Sequence, residues 1–122
     1  MQATQGGRSG APGGEEKTSH PTLWQFDPEN NSGKLVVTMP GKFLMGAYYV
    51  HKVGPRNKKS GLYEWAVVTD DLGSMVWVLA RRPRYPTQQI LEMLGEEGFD
   101  KSWNTLMPTY QGKDCVYPDY VQ

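Results

Sequence analysis

The sequence predicts a mainly β domain, an antiparallel meander of five strands followed by one α-helix packed outside it. Three observations carry that prediction. Short runs rich in Val, Tyr and Trp recur between breaks that contain Gly, Pro, Asn and Asp. The breaks are too short to hold crossover helices, so successive strands run antiparallel. Only the stretch after Pro86 spaces its apolar residues as a helix does.

Taken in order, residues 1–19 place five glycines between Gly6 and Gly14, with Ser9, Pro12 and several charges. This is the composition of a flexible tail or linker, with too little apolar surface to offset its ordering entropy. It is no phosphate loop, because no strand precedes it and no Gly-Lys-Ser/Thr ends it. Residues 20–118 make up the β domain, and 119–122 a short tail. Thr22–Phe26 forms a first strand, Asp27–Gly33 a turn, and Lys34–Met39 a second strand that Pro40 and Gly41 end. Phe43–Val53 is a long third strand centred on Tyr48, Tyr49 and Val50. A polar loop over 54–61 leads into a hairpin, Leu62–Thr69 and Met75–Arg81, turned by Asp70-Asp-Leu-Gly-Ser74. Both hairpin strands are apolar at consecutive positions. Alternate residues face opposite sides of a sheet, so both faces of this hairpin need a cover. One cover is the helix over about 86–97, where Ile90, Leu91, Met93 and Leu94 form an apolar stripe opposite Glu92, Glu96 and Glu97. The remainder is extended, with Leu106–Tyr110 as an edge strand in which Pro108 is tolerated.

At 122 residues there is one domain. Thirteen basic and thirteen acidic side chains balance to zero, which argues against a nucleic-acid partner held by bulk charge. No apolar run is long enough for a membrane-spanning helix, which leaves peripheral association as the only membrane role of a helical kind. The first residues hold no apolar signal core, so an export signal would have been removed or would lie outside this chain. Cys115 is the single cysteine; it is either an inert thiol or half of a disulfide to another chain or to a segment outside this sequence.

Tyr63-x-Trp-Ala-Val-Val68, Val76-Trp-Val-Leu-Ala-Arg81, the proline after them and the helix together resemble the second half of a lipocalin. The branch most similar is that of the outer-membrane lipocalins and apolipoprotein D. Ser32-Gly-Lys-Leu35 and Gly46-Ala-Tyr-Tyr-Val50 resemble its preceding strands, and Thr109-Tyr-Gln111 with Cys115 its tail. The likeness spans about residues 22–118. It implies a lipocalin-type β-barrel, a small hydrophobic ligand such as a lipid, pigment or sterol, and an exported or organellar compartment. The barrel would be incomplete, because the family's first three strands and their Gly-x-Trp motif are missing here. Arg81 matches the arginine that closes the barrel base over that tryptophan, and its partner is not in this chain. Cys115 matches a tail cysteine that pairs with one in the early strands, which implies a disulfide between chains. A protein partner or a second copy would then supply the missing strands.

With Arg81 inward, alternation turns Leu79, Trp77 and Met75 inward as well, and Val76, Val78 and Ala80 toward the helix. Matching the other strands to the family adds Leu35, Val37, Met39, Tyr48, Val50, Ala66 and Val68 to the inner wall. That wall is apolar apart from one phenol, as suits an elongated apolar ligand. The same residues could equally fill a solid core.

Other groupings carry less. His20 and His51 have no Cys, Asp or Glu at ligand spacing, so no metal site is expected. Asp70-Asp71 reads as a hairpin tip, and Lys52, Arg56, Lys58 and Lys59 as a solvated basic loop. Asn30-Asn31-Ser32 is a formal glycosylation acceptor. No nucleophile–base arrangement is visible, so neither catalysis nor a cofactor is expected. Two functions lead: a carrier for a small apolar molecule, and an accessory subunit docking through an incomplete barrel. An enzyme acting on an apolar substrate, as some barrel relatives do, is the weakest third, since the inferred wall offers no acid–base pair beyond Tyr48.

Overall fold

The computed structural model describes residues 1–30, 32–41, 45–99 and 106–117. Seven strands and one helix follow one another: β1 (Gln5–Ser9), β2 (Glu15–Ser19), β3 (Thr22–Gln25), β4 (Lys34–Thr38), β5 (Met45–Val53), β6 (Trp65–Thr69), β7 (Val76–Ala80) and α1 (Gln88–Glu96). The last five strands form one antiparallel sheet in the order β3-β4-β5-β6-β7, the meander expected from the spacing of the breaks. It is an open sheet and does not close into a barrel among the described residues.

The glycine-rich lead-in holds a second, two-stranded sheet, β1 against β2, from Gln5 opposite Ser19 to Ser9 opposite Glu15. Its composition shows no strand pattern because the pairing uses backbone groups and buries little; its turn is helped by Gly10 at φ 82°. Ahead of it, residues 1–3 lie along the outer edge of β3. The Met1 ammonium donates to the Leu23 carbonyl at 3.0 Å, Leu23 N–H to Met1 at 2.7 Å, and Ala3 N–H to Pro21 at 2.9 Å.

α1 is shorter than the expected 86–97, beginning after Thr87. Ile90 and Leu94 are buried against Val67, with Trp65, Val76, Val78, Tyr85, Met93, Phe99 and Leu106 packed around them. Leu91, expected in the same stripe, instead faces solvent. Nine residues make only two and a half turns, so one face narrower than four apolar positions meets the sheet. Residues 106–110 carry no strand, and Pro108 lacks the N–H that pairing there would use. The start of the long third strand at Phe43 and the tail segments 103–105 and 118–122 lie outside the described residues.

One irregularity organises the sheet. Between Val50 and Lys52 the register of β5 against β6 shifts, so that Val50 opposes Val68, Lys52 opposes Val67 and Val53 opposes Ala66. His51 is the extra residue of a β-bulge.

Candidate functional site

Residues directly opposite in an antiparallel pair share a face. Leu35 opposes Tyr48, Val50 opposes Val68, Val68 opposes Trp77, and Ala66 opposes Leu79. With Val37, two residues along from Leu35, these eight residues occupy the face turned away from α1. Val67, Val76 and Val78 occupy the other, under the helix. Of the remaining expected wall residues, Met39 lies just beyond β4 and is half-buried, and Met75 precedes β7 at an exposed position. Arg81 is exposed; its N–H extends the ladder to the Glu64 carbonyl at 3.0 Å and its Nε donates to the Tyr63 carbonyl at 2.6 Å.

The face grades from covered to open. Leu23, Leu35 and Val68 are buried, whereas Trp77 and Leu79 are 42% and 44% exposed. Burial raises the Tyr48 phenol above its ordinary pKa, so its hydroxyl stays neutral well past physiological pH. Two wall residues escape a parity count made from Tyr48 and Val50. Leu23 opposes Val37, and alternation does not single it out, because the apolar Trp24 and Phe26 sit on the other parity and Gln25 shares its face. Val53 opposes Ala66 only because of the bulge, which no periodicity reveals.

The bulge also serves the opposite face. Two consecutive residues of a bulged strand oppose one partner residue, so His51 and Lys52 both reach the side where α1 lies. His51 Nε2 sits 2.7 Å from Glu97 Oε2, and Lys52 Nζ pairs with Glu97 Oε1. The His51 ring meets Phe99 edge-on, with centroids 5.4 Å apart. Hydrogen bonds from Lys52 first and His51 second hold the Glu97 carboxyl below its usual pKa. Glu97 is the C-cap of α1, an end where a lone carboxylate is disfavoured by the helix dipole, and these two donors offset that.

A separate concavity lies away from this face. A cleft of about 810 Å³ separates β1 and β2 from residues 109–117, bordered by Arg8, Tyr110, Asp114, Cys115 and Tyr117. Arg8 is already engaged there, donating to the carbonyls of Gly14 at 3.0 Å and Val116 at 3.1 Å and pairing with Glu16 at 3.7 Å. Cys115 is a half-buried free thiol whose Sγ lies 3.7 Å from the Tyr110 carbonyl. None of the ten expected wall residues borders this cleft. In the basic loop, Arg56 stacks 4.8 Å from the centroid of the Tyr63 ring and donates to its hydroxyl at 3.1 Å. Asp70 caps the hairpin turn, accepting from Ser74 N–H at 2.8 Å, Met75 N–H at 3.3 Å and the Ser74 hydroxyl. No cluster of three metal-ligating side chains occurs among the described residues, nor any helix long and apolar enough to cross a membrane.

No family model, curated protein or solved structure matches the chain.

Proposed function

We propose that this chain is a non-catalytic binding module whose helix-free sheet face takes a small hydrophobic molecule, as its lipocalin resemblance implies. The observation that carries the reading is the register: four strands place Leu35, Tyr48, Val50, Ala66, Val68, Trp77 and Leu79 on one surface. The surface is apolar except for a phenol, and side chains of this type bind by area rather than by polar contacts. Lys52, which simple alternation would put among them, is turned away by the bulge.

The test is titration of the 122-residue chain with a fluorescent polyene fatty acid, read by energy transfer from tryptophan. Saturable transfer that Trp77→Phe removes supports the reading. Transfer that never saturates, or that Trp77→Phe leaves unchanged, refutes it.

A second reading, an accessory subunit that docks on a larger assembly, is favoured by a separate observation. Trp77 and Leu79 are too exposed for a closed lumen. Contiguous exposed aromatic and aliphatic residues on a sheet face are the usual anchors of protein interfaces.

A further inference from the structure

The two edges of the main sheet are not alike. Residues 1–3 cover the β3 edge through three backbone hydrogen bonds. Among the described residues nothing pairs with the outer side of β7. Sheet edges are ordinarily protected by charge, proline, a bulge or a covering segment. Val76-Trp-Val-Leu-Ala80 has none of these within it.

The hydrogen-bond pattern says which groups are unpaired. Asp70 N–H bonds the Met75 carbonyl and Arg81 N–H bonds the Glu64 carbonyl, so the odd-numbered residues of β7 address β6. Alternation then turns the N–H and C=O groups of Val76, Val78 and Ala80 outward. Charge marks the two ends of the same strand. Asp70 and Asp71 stand at its start, and Arg81, Arg82 and Arg84 follow its end. None of these five has an ion-pair partner among the described residues.

We propose that β7 is the interface of a twofold homodimer, in which two copies pair antiparallel about Val78 into one ten-stranded sheet. This register joins Val78 to Val78 of the second copy, and Val76 to its Ala80, each as a hydrogen-bonded pair. It uses every outward group of the strand. It sets Trp77 opposite Leu79 of the second copy, so that the two helix-free faces become continuous. It also brings Arg81 and Arg82 of one copy alongside the acidic turn of the other, twice over. A parallel pairing would set acidic turn against acidic turn, and a head-to-tail one would leave a free edge to grow. The pairing uses the edge of the sheet, so it stands or falls independently of what the face binds.

The experiment is sedimentation equilibrium on the full chain at low and high salt, with three variants. The wild type should give twice 13.7 kDa, with a dissociation constant that rises with salt. Val78→Pro removes an outward N–H at the centre of the interface and leaves the β6 hydrogen bonds in place, and should return the mass to 13.7 kDa; it also alters a side chain packed under α1, so circular dichroism checks that the variant still folds. Arg82→Asp should weaken the dimer at least tenfold, and adding Asp71→Arg should restore it, a rescue that keeps the test decisive should the proline variant fold poorly. A monomeric wild type, a dimer that neither Val78→Pro nor Arg82→Asp weakens, or an assembly larger than two would overturn the proposal.

Discussion

Leu94→Ala tests whether the helix is held by the sheet alone. α1 has nine residues, no side-chain N-cap bond from Thr87, no acidic residue in its first turn and no basic residue in its last. A helix of that length does not persist in water without docking. Its attachment runs through Ile90 and Leu94, the latter 0% exposed, against Val67. Val67 lies on β6, which is paired on both sides, so the wall cannot relax into the cavity that truncation leaves. The cost should therefore fall in the upper part of the range for buried leucine, about 3–5 kcal/mol. That is a large share of the roughly 5–15 kcal/mol typical of a domain. Leu91→Ala is the internal control: same substitution, same helix, but 41% exposed. It should stay within about 0.5 kcal/mol of wild type. Chemical denaturation followed by circular dichroism and tryptophan fluorescence measures both. A gap between the two variants smaller than about 1.5 kcal/mol, the roughly 2 kcal/mol low end for a buried Leu→Ala less about 0.5 kcal/mol for the control, would refute the docking argument.

Three further outcomes follow from the same geometry. Because Lys52 and His51 hold the Glu97 carboxyl below its ordinary value, Glu97 stabilises the fold above the usual glutamate range, and that contribution is lost as pH falls through the lowered value. Stability curves of wild type and Glu97→Gln should accordingly differ at neutral pH and converge below about pH 4, and a constant gap would contradict the pairing. Asp70→Ala removes the acceptor that ties Ser74 and Met75 into the β6–β7 turn, and should cost about 1 kcal/mol in thermal or urea unfolding. Gly54→Ala places a methyl 2.5 Å from Cε2 and 2.6 Å from Cδ1 of Trp65. The indole is hemmed in by the α1 core, so overpacking should cost about 1–3 kcal/mol and shift the tryptophan emission; wild-type stability and emission would show the ring free to move.

What the residues disclose on their own is uneven, for physical reasons. The faces of Leu35-Val-Val37 and Trp77-Val-Leu79 follow only from counting alternate positions outward from Arg81 and the matched strands, because every residue in both runs is apolar and hydropathy alone marks neither side. The hairpin turn is legible in Asp70-Asp-Leu-Gly-Ser74, since Asp and Gly there do jobs few residues can. The β1–β2 sheet is not legible: Gln5-Gly-Gly-Arg-Ser9 against Glu15-Glu-Lys-Thr-Ser19 buries almost nothing, and backbone pairing leaves no mark on side-chain choice. The covering of β3 by Met1–Ala3 is hidden for the same reason. Leu91 misleads because an apolar stripe counts candidates, while the width of the contact with Val67, Val76 and Val78 decides how many are buried.

The bulge at His51 is where the two faces of the sheet depend on each other. Counting by twos from Tyr48 and Val50 would put Lys52 on the apolar face and Val53 on the helix side. A lysine there would have to stay solvated, and the wall from Leu23 to Leu79 would be broken at its middle strand. One extra residue reverses both assignments: Val53 joins Ala66 on the apolar face, and Lys52 swings to Glu97. The same insertion supplies His51 as a second donor to that carboxylate. Glu97 in turn closes the C-terminal end of α1, the element that covers Val67. The largely apolar surface on one side, with Gln25 and the Tyr48 phenol as its polar members, and the anchored helix on the other thus rest on a single irregularity. That coupling keeps Lys52 off the face that carries Tyr48, Val50 and Val68 and ties it to the end of the helix instead.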